Sequence, residues 1–225
     1  MKKLALALVA STFVTGAASA RIQTGYYLGA ALGYGATTGK FSATGPAPAN
    51  IALNGSRDIG GNSANIGAHL GYGWVTGCFY FGGEFAYTFD NPKINDTLSN
   101  IANSGQLSLK RNGYFNAAFR GGYLLVPNTM FYIRLGGNWG KWTLTDSLSG
   151  GFGSAQPARG AKSRLSFAPG FGLETAVHHN VYVRVEYVYE FGPSIRAVNN
   201  NVVNGFSNVG MLRTQSGKMG LSYKF

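Results

Sequence analysis

Charged side chains set between apolar ones are the residues of this sequence best suited to do chemistry. Each of them stands next to an aromatic or aliphatic residue: Glu84, Glu174, Glu186, Glu190, Arg120, Arg134, Arg164 and Arg184. Neighbouring side chains of an extended chain point to opposite faces, so these charges share a face. Opposite charges at similar depth attract strongly where water is scarce. We therefore predict an ion-pair network inside the fold. The alternative is a narrow aqueous path in which the same charges pair only through water.

Residues for catalysis, metal binding or cofactor binding are scarce. The histidines are His69, which stands alone, and the adjacent His178 and His179, whose side chains should diverge on an extended chain. Segments such as 33–35 lack the remaining glycines of a nucleotide-binding fingerprint. We predict no enzyme, no catalytic or metal-binding residue and no cofactor. A membrane-embedded lipid-modifying enzyme would need a histidine and a serine near the outer interface, and it is the least favoured hypothesis.

Composition indicates a sheet that faces lipid on one side. Of 225 residues, 14% are aromatic and only 12% charged, and 34 are glycine. No stretch after residue 20 is apolar for long enough to form a transmembrane helix. A chain that is rich in aromatic residues and poor in charge, yet has no long apolar stretch, must alternate apolar with polar or small residues. This alternation is typical of the strands of a membrane β-barrel. The net charge of +11 would fit nucleic acid, but the export signal in the first twenty residues argues against that partner, so we predict anionic lipid instead.

The first twenty residues predict export. Lys2 and Lys3 precede a short apolar stretch, and 18–20 form an Ala-x-Ala cleavage site. We therefore expect a signal peptide over residues 1–20 and one barrel domain over residues 21–225. Cys78 is the single cysteine, so no internal disulfide can form.

In eight segments, apolar residues alternate with polar, small or charged ones, which places the charged residues named above on the inner face of a sheet. The segments are 26–35, 64–74, 79–89, 110–124, 131–142, 162–177, 181–191 and 213–225. The connections alternate between short turns and long Gly-, Ser-, Asn- and Pro-rich loops. Short turns face the periplasm in membrane barrels, and the strand number is even. The prediction is an all-β, eight-stranded antiparallel transmembrane β-barrel with short periplasmic turns and long extracellular loops.

Basic residues gather where the strands meet the predicted long loops. They are Lys40, Lys110, Arg111, Lys141, Lys162 and Arg213. Ammonium and guanidinium groups at that level suit the phosphates of lipopolysaccharide. Ordinary solvated charge is the alternative interpretation.

The final strand carries alternating apolar residues that end in an aromatic one: Met219, Leu221, Tyr223 and Phe225. This pattern resembles the C-terminal signal of outer-membrane proteins. With the segments 26–30 (YYLGA) and 81–85 (FGGEF), the chain resembles the small outer-membrane β-barrel superfamily of OmpA-like and OmpX-like barrels and bacterial surface antigens. The resemblance implies a location in the cell outer membrane of a Gram-negative bacterium and recognition of the last strand by the barrel assembly machinery. We expect no peptidoglycan-binding domain after the barrel.

Members of that superfamily are structural, adhesive, immune-evasive or weakly pore-forming, so the resemblance leaves the role open. We predict a structural and surface-interaction role, as an adhesin or surface antigen. The expected partners are outer-membrane lipid and lipopolysaccharide, the assembly machinery, and a host or extracellular ligand that binds the loops. A narrow porin for small solutes is the alternative.

Overall fold

The computed structural model describes residues 20–44, 55–100, 103–149, 158–199 and 205–225, so nearly all of the predicted signal peptide lies outside it. The secondary structure of this part is entirely β. Its strands are β1 (Gly25–Thr44), β2 (Gly55–Thr76), β3 (Phe79–Asp90), β4 (Lys93–Asn100), β5 (Asn103–Val126), β6 (Thr129–Ser149), β7 (Ala158–His178), β8 (Val181–Phe191), β9 (Ile195–Asn199) and β10 (Gly205–Lys224). Across these residues, no helix has the length and apolarity needed to cross a membrane.

The strands close into an antiparallel barrel because β1 pairs with β10. β3 and β4 both pair with β5, and β8 and β9 both pair with β10. β3 with β4, and β8 with β9, therefore each form one interrupted strand of the barrel wall. The wall therefore has eight strands, which confirms the predicted fold.

Both breaks contain a proline, Pro92 after β3 and Pro193 after β8. Proline has no N–H to donate to a ladder, so it interrupts strand pairing. The β2–β3 ladder ends at Asn65 and Asp90, and the β7–β8 ladder ends at Phe167 and Phe191. Beyond these pairs, no ladder joins β2 to β4 or β7 to β9 within the described residues.

The barrel consequently splits in its upper half into two four-stranded sheets, β9–β10–β1–β2 and β4–β5–β6–β7. Between them lies a set of buried residues that we name the upper apolar cluster: Phe41, Ile59, Ile94, Leu109, Trp142, Leu144, Ile195, Val209 and Leu212. Both sheets contribute members. The upper half is thus a β-sandwich that continues a closed barrel.

Strand lengths differ from the sequence-based prediction at this end. β1 and β2 extend to Thr44 and from Gly55, whereas the predicted strands ended at Gly35 and began at Ala64. A transmembrane strand needs only about 9–11 residues, so both continue well beyond a bilayer. Outward apolar residues stop at Tyr34 on β1, but inward ones such as Phe41 continue. Much of the predicted long loops is therefore strand.

Two-residue turns join the strands at the opposite end: 77–78, 127–128 and 179–180. Gly77 has a φ of +57°, which glycine adopts without strain. The second residue of each turn uses its carbonyl oxygen to accept a hydrogen bond from the neighbouring wall strand. The bonds run from Leu124 N to Cys78 O, from Ala176 N to Asn128 O and from Lys224 N to Asn180 O, each at 2.8 Å. We call this end of the barrel the turn end; these backbone hydrogen bonds connect each of its turns to a neighbouring wall strand.

Candidate functional site in the barrel interior

An ion-pair network, named the ion layer here, fills the middle of the barrel. Its charged members come from five wall strands and are all buried: Glu84, Arg120, Arg134, Glu174, Arg184 and Glu186. Glu84 is the centre, because both of its carboxylate oxygens accept hydrogen bonds from Arg184. Arg120 Nη1 lies 3.6 Å and Arg134 Nη2 4.0 Å from the same carboxylate. The Tyr27 hydroxyl donates to Glu84 Oε2 at 3.1 Å.

Two further carboxylates balance the charge of this layer. Arg120 Nη2 donates to Glu174 Oε2 at 2.6 Å, and Arg134 Nε lies 3.6 Å from Glu186 Oε2. The Tyr132 hydroxyl also donates to Glu186, at 3.0 Å. Three arginines thus meet three glutamates. Such balance is necessary because a single unpaired buried charge is costly.

Aromatic rings hold Arg120 from the turn end. Its guanidinium lies 3.9 Å from the ring centre of Tyr132, 5.6 Å from that of Tyr80 and 5.9 Å from that of Tyr27. Cation–π attraction strengthens when both groups are desolvated, and all four side chains are buried. The aromatic rings therefore fix one geometry for the arginine.

A second charged group, the upper triad of Asp90, Arg111 and Glu190, lies between the ion layer and the upper apolar cluster. Arg111 Nη1 donates to both oxygens of Glu190 at 2.8 and 3.0 Å, and Nη2 donates to Asp90 Oδ2 at 2.5 Å. The guanidinium packs between the rings of Tyr114 and Trp142, at 4.3 and 4.5 Å from their centres. Arg111 is only 1% exposed.

The burial of Arg111 corrects its assignment to the lipopolysaccharide rim. Strict alternation from the inward Tyr114 would point Arg111 outward, but β5 carries one extra residue between the two, a β-bulge. Gly113 lies in this bulge with a φ of +109°, a conformation that L side chains rarely adopt. The bulge reverses the phase and turns Arg111 inward. Asp90, the last residue of β3, also joins this triad and is 5% exposed.

Apolar residues close the turn end of the interior. The lower apolar cluster consists of Ala20, Ile22, Tyr80, Met130, Tyr132, Ala176 and Tyr182. Segment 20–24 enters this mouth and is held there: Ile22 N donates to Pro127 O at 2.9 Å, and the Tyr182 hydroxyl donates to Arg21 O at 2.9 Å. Lys224 Nζ donates to the carbonyl of Gln23.

Little free volume remains in the middle of the barrel. The cavity beside the ion layer, lined by His69, Glu84, Arg134 and Arg184 among others, measures about 20 Å³. That is room for about one water molecule. Buried charged, aromatic and apolar side chains therefore occupy successive levels of the interior, from the lower apolar cluster to the upper one.

The structure brings seven of the eight predicted network residues into the interior: Glu84, Arg120, Arg134, Glu174, Arg184, Glu186 and Glu190. Arg164 is the exception, because it is exposed and lies beyond Phe167, where the β7–β8 ladder ends. Without β8 beside it, this part of β7 no longer encloses a lumen. Sequence reasoning missed Tyr27, Tyr132 and Asp90, whose positions alone carried no signal of charge pairing.

Most of the other residues predicted to form the lipopolysaccharide rim have solvent-exposed side chains. Lys40, Lys110, Lys141 and Arg213 are exposed, and Lys162 stands in β7 with its side chain outside the described part. The residues of the predicted C-terminal signal, Met219, Leu221, Tyr223 and Phe225, all point outward, and Phe225 is 73% exposed.

The histidines do not assemble a site. His69 is buried, and its Nε2 lies 2.8 Å from Ser222 Oγ inside the barrel. His178 and His179 have rings in edge contact, with centres 5.3 Å apart, because His179 belongs to a turn rather than to an extended strand. The expected divergence of these two rings was wrong. The described residues contain no group of three or more potential metal ligands.

Several solved structures align with most of this chain at low sequence identity. Neisserial surface protein A aligns with a TM-score of 0.49 and 13% identity over 89% of this chain and 97% of that one. Ail, the attachment invasion locus protein of Yersinia pestis, aligns with a TM-score of 0.43 and 16% identity over 91% and 100%. The outer membrane protease OmpT from Escherichia coli aligns with a TM-score of 0.49 and 8% identity over 91% and 99%. A comparison with curated proteins finds no match.

A family of outer-membrane barrels matches almost the complete sequence, over residues 5–225. Its description is "outer membrane protein beta-barrel domain", in accord with the closed wall and the outward apolar band. The chain therefore belongs to the outer membrane protein β-barrel domain family.

Proposed function

We propose that this outer-membrane barrel is a closed scaffold that presents its upper sandwich as an interaction surface outside the cell. The observation that carries the proposal is the filled interior. The ion layer, the upper triad and the two apolar clusters occupy the space along the barrel axis that a solute would need. The cavity beside the ion layer has room for about one water molecule. A structural and surface-interaction role, as an adhesin or surface antigen, needs no solute path through the barrel.

The upper sandwich supports the second half of the proposal. It has its own buried core, so its outer strands and loops are carried on a rigid base. Polar outward residues replace the apolar band above Tyr34, as expected for a surface in water. A partner could therefore bind without contact with the membrane-spanning part.

Single-channel recording in a planar bilayer tests the closed scaffold. The purified full-length barrel should give no steady open conductance, while a known porin in the same membrane verifies that insertion and detection work. A steady conductance that scales with the amount of inserted protein would overturn the proposal and favour the narrow porin. An epitope inserted at residues 150–157 should be stained by antibody on intact cells, and staining only after permeabilisation would reverse the proposed orientation.

We propose no catalytic role for the histidines. His69 is 2% exposed and bonds to Ser222 within the barrel, so a lipid substrate outside the wall cannot reach it. His178 and His179 lie at the turn end, opposite to the upper sandwich.

The cationic rim remains a proposed contact with lipopolysaccharide, but its charge is uneven. Lys40 stands opposite Asp58 in the β1–β2 register, and both are exposed, so the positive charge there is balanced. On the other sheet, Lys110 stands opposite Lys93, and Lys141 follows on the next strand. We therefore assign the anion-binding part of the rim to β4, β5 and β6.

A further inference from the structure

The missing ladder between β2 and β4 leaves a cleft in the outer face of the barrel wall. Above the last β2–β3 pair, Asn65 with Asp90, β2 has no ladder partner on this side within the described residues. An open cleft of about 440 Å³ lies at this place. Small-molecule sites commonly measure about 300–1,000 Å³, so the cleft is large enough for a ligand. Its lining residues are Ala64, Asn65, Ile66, Phe89, Asp90, Asn91 and Asn112.

The cleft lies at the upper boundary of the lipid-facing band. Ile66 and Phe89 form its lower lip and are 60% and 61% exposed on the outer face. Asn91 and Asn112 are exposed directly above them and can donate and accept hydrogen bonds. A ligand that fits this order has an apolar chain below and hydrogen-bonding groups above.

Charge extends the same gradient upward and inward. Lys110 is exposed on β5, two residues above Asn112, and Lys93 stands opposite it in the register. At the back of the cleft, Asp90 Oδ1 accepts a hydrogen bond from Ser63 at 2.6 Å and Oδ2 pairs with Arg111. Both oxygens of the buried carboxylate thus accept hydrogen bonds from the protein, but Arg111 is shared with Glu190, so a ligand phosphate belongs at Lys110 and not at the back of the cleft.

We propose that this cleft, named the lateral cleft, holds an acyl chain of a lipopolysaccharide molecule of the outer leaflet. The chain packs against Ile66 and Phe89, the acyl linkages bond to Asn91 and Asn112, and a phosphate pairs with Lys110. This inference rests on the proposed rim and places one specific lipid within it. The cleft faces the membrane directly, so a lipid can enter it without leaving the bilayer.

Ala64→Trp is the decisive variant, because Ala64 is exposed and lines the lateral cleft, so an indole there fills it. Ala68→Trp is the matched control: Ala68 is also exposed, on the same face of β2, and lies four residues nearer the turn end. The folded state of each is checked by the gel mobility of unheated samples. Native mass spectrometry then measures the binding of diphosphoryl lipid A to the full-length barrel in detergent. We expect Ala64→Trp to weaken binding at least about tenfold and Ala68→Trp to stay within about twofold of wild type.

Two further probes identify the lipid. Lys110→Gln should weaken the binding of diphosphoryl lipid A but leave dephosphorylated lipid A unchanged, because only the phosphate contact is lost. Phosphatidylglycerol, an anionic phospholipid, should bind more weakly than lipid A and should be insensitive to Ala64→Trp. Equal, cleft-dependent binding of phosphatidylglycerol would overturn the assignment to lipopolysaccharide.

The proposal for the cleft and the proposal for the rim fail separately. A double variant, Lys93→Gln and Lys141→Gln, removes charge from the anion-binding part of the rim on β4 and β6 but keeps Lys110 and the cleft. If the double variant loses lipid A while Ala64→Trp binds like wild type, the cleft proposal is wrong and the rim stands. If only Ala64→Trp loses lipid A, the cleft proposal is supported without the rim.

Discussion

Glu84 on β3 and Arg184 on β8 form an ion pair across the full width of the barrel. The two strands are the third and seventh of the eight in the wall, so they face each other. Both guanidinium Nη atoms donate to the carboxylate, and the Nη2 to Oε1 distance is 3.3 Å. A path along the barrel axis therefore meets this pair at its centre.

Removal of Glu84 alone should destabilise the barrel strongly. Glu84→Ala leaves Arg184 without its carboxylate partner and weakens the pairing of Arg120 and Arg134, and breaking a buried pair in this way costs about 3–5 kcal/mol. The combination of Glu84→Ala with Arg184→Ala should cost less than Glu84→Ala alone, because fewer uncompensated charges remain. Urea unfolding in lipid vesicles, followed by tryptophan fluorescence, measures both free energies.

Lys141→Ala serves as the control for this comparison, since Lys141 is exposed and the substitution should leave the free energy of unfolding within about 0.5 kcal/mol. If the double variant is at least as unstable as the sum of its two single variants, the residues do not act as a buried pair.

The bulge at Gly113 should not tolerate a side chain. A Cβ there would lie 2.8 Å from the Tyr87 hydroxyl oxygen and 2.9 Å from the Thr88 carbonyl oxygen, at a φ of +109°. Gly113→Ala should therefore cost about 1–3 kcal/mol in the same unfolding experiment. Gly217→Ala is the matched control, because a Cβ at Gly217 meets no atom within 4 Å. Equal stability of the two variants would show that the bulge does not depend on glycine.

Truncation in the upper apolar cluster should loosen the sandwich. Leu144 is completely buried, and Leu144→Ala should cost about 2–5 kcal/mol through the cavity it leaves. Leu135→Ala removes the same atoms from the outer face of β6, where Leu135 is 52% exposed, and should cost less. Amide hydrogen exchange locates the effect: faster exchange in the upper strands but unchanged exchange at the turn end is expected for Leu144→Ala. Uniform acceleration along the barrel would contradict an independent upper core.

Phe225 should matter more for assembly than for the stability of the folded barrel. Its ring is exposed and contacts Tyr223, while its backbone N–H bonds to Tyr26 O at 2.9 Å. Phe225→Ala keeps that backbone bond and removes the side chain that the assembly machinery is proposed to read. The amount of folded barrel in cell membranes should fall well below that of Phe89→Ala, a change at another outward phenylalanine. Equal amounts of both variants would remove the basis for an assembly signal.

Period-two alternation was enough to predict the wall and most of its inward face. Every segment with lipid-facing aromatics became a strand, and the inward positions of Glu84 and Arg184 followed from their spacing alone. The three short turns could also be predicted from the sequence, because only a few residues separate the alternating segments on either side of each turn. These features depend on local geometry that each segment carries by itself.

The remaining features depend on contacts between distant segments. The bulge at Gly113 changes the phase of one strand, so Arg111 and Asp90 meet only after β3 and β5 pair. Pro92 and Pro193 mark breaks in the sequence, but only the complete topology shows that the two breaks divide the same barrel into two sheets. Arg164 fits the inward pattern, yet its neighbour strand ends before it.

The upper apolar cluster has a consequence for engineering and for sequence variation. It is a water-excluding layer between the charged interior and the connections that follow the upper strands. Because those connections start from a framework with its own core, their residues can be exchanged without a change in the ion layer. The sandwich should therefore accept grafted peptide epitopes between β6 and β7 while the membrane-spanning wall keeps its pairing.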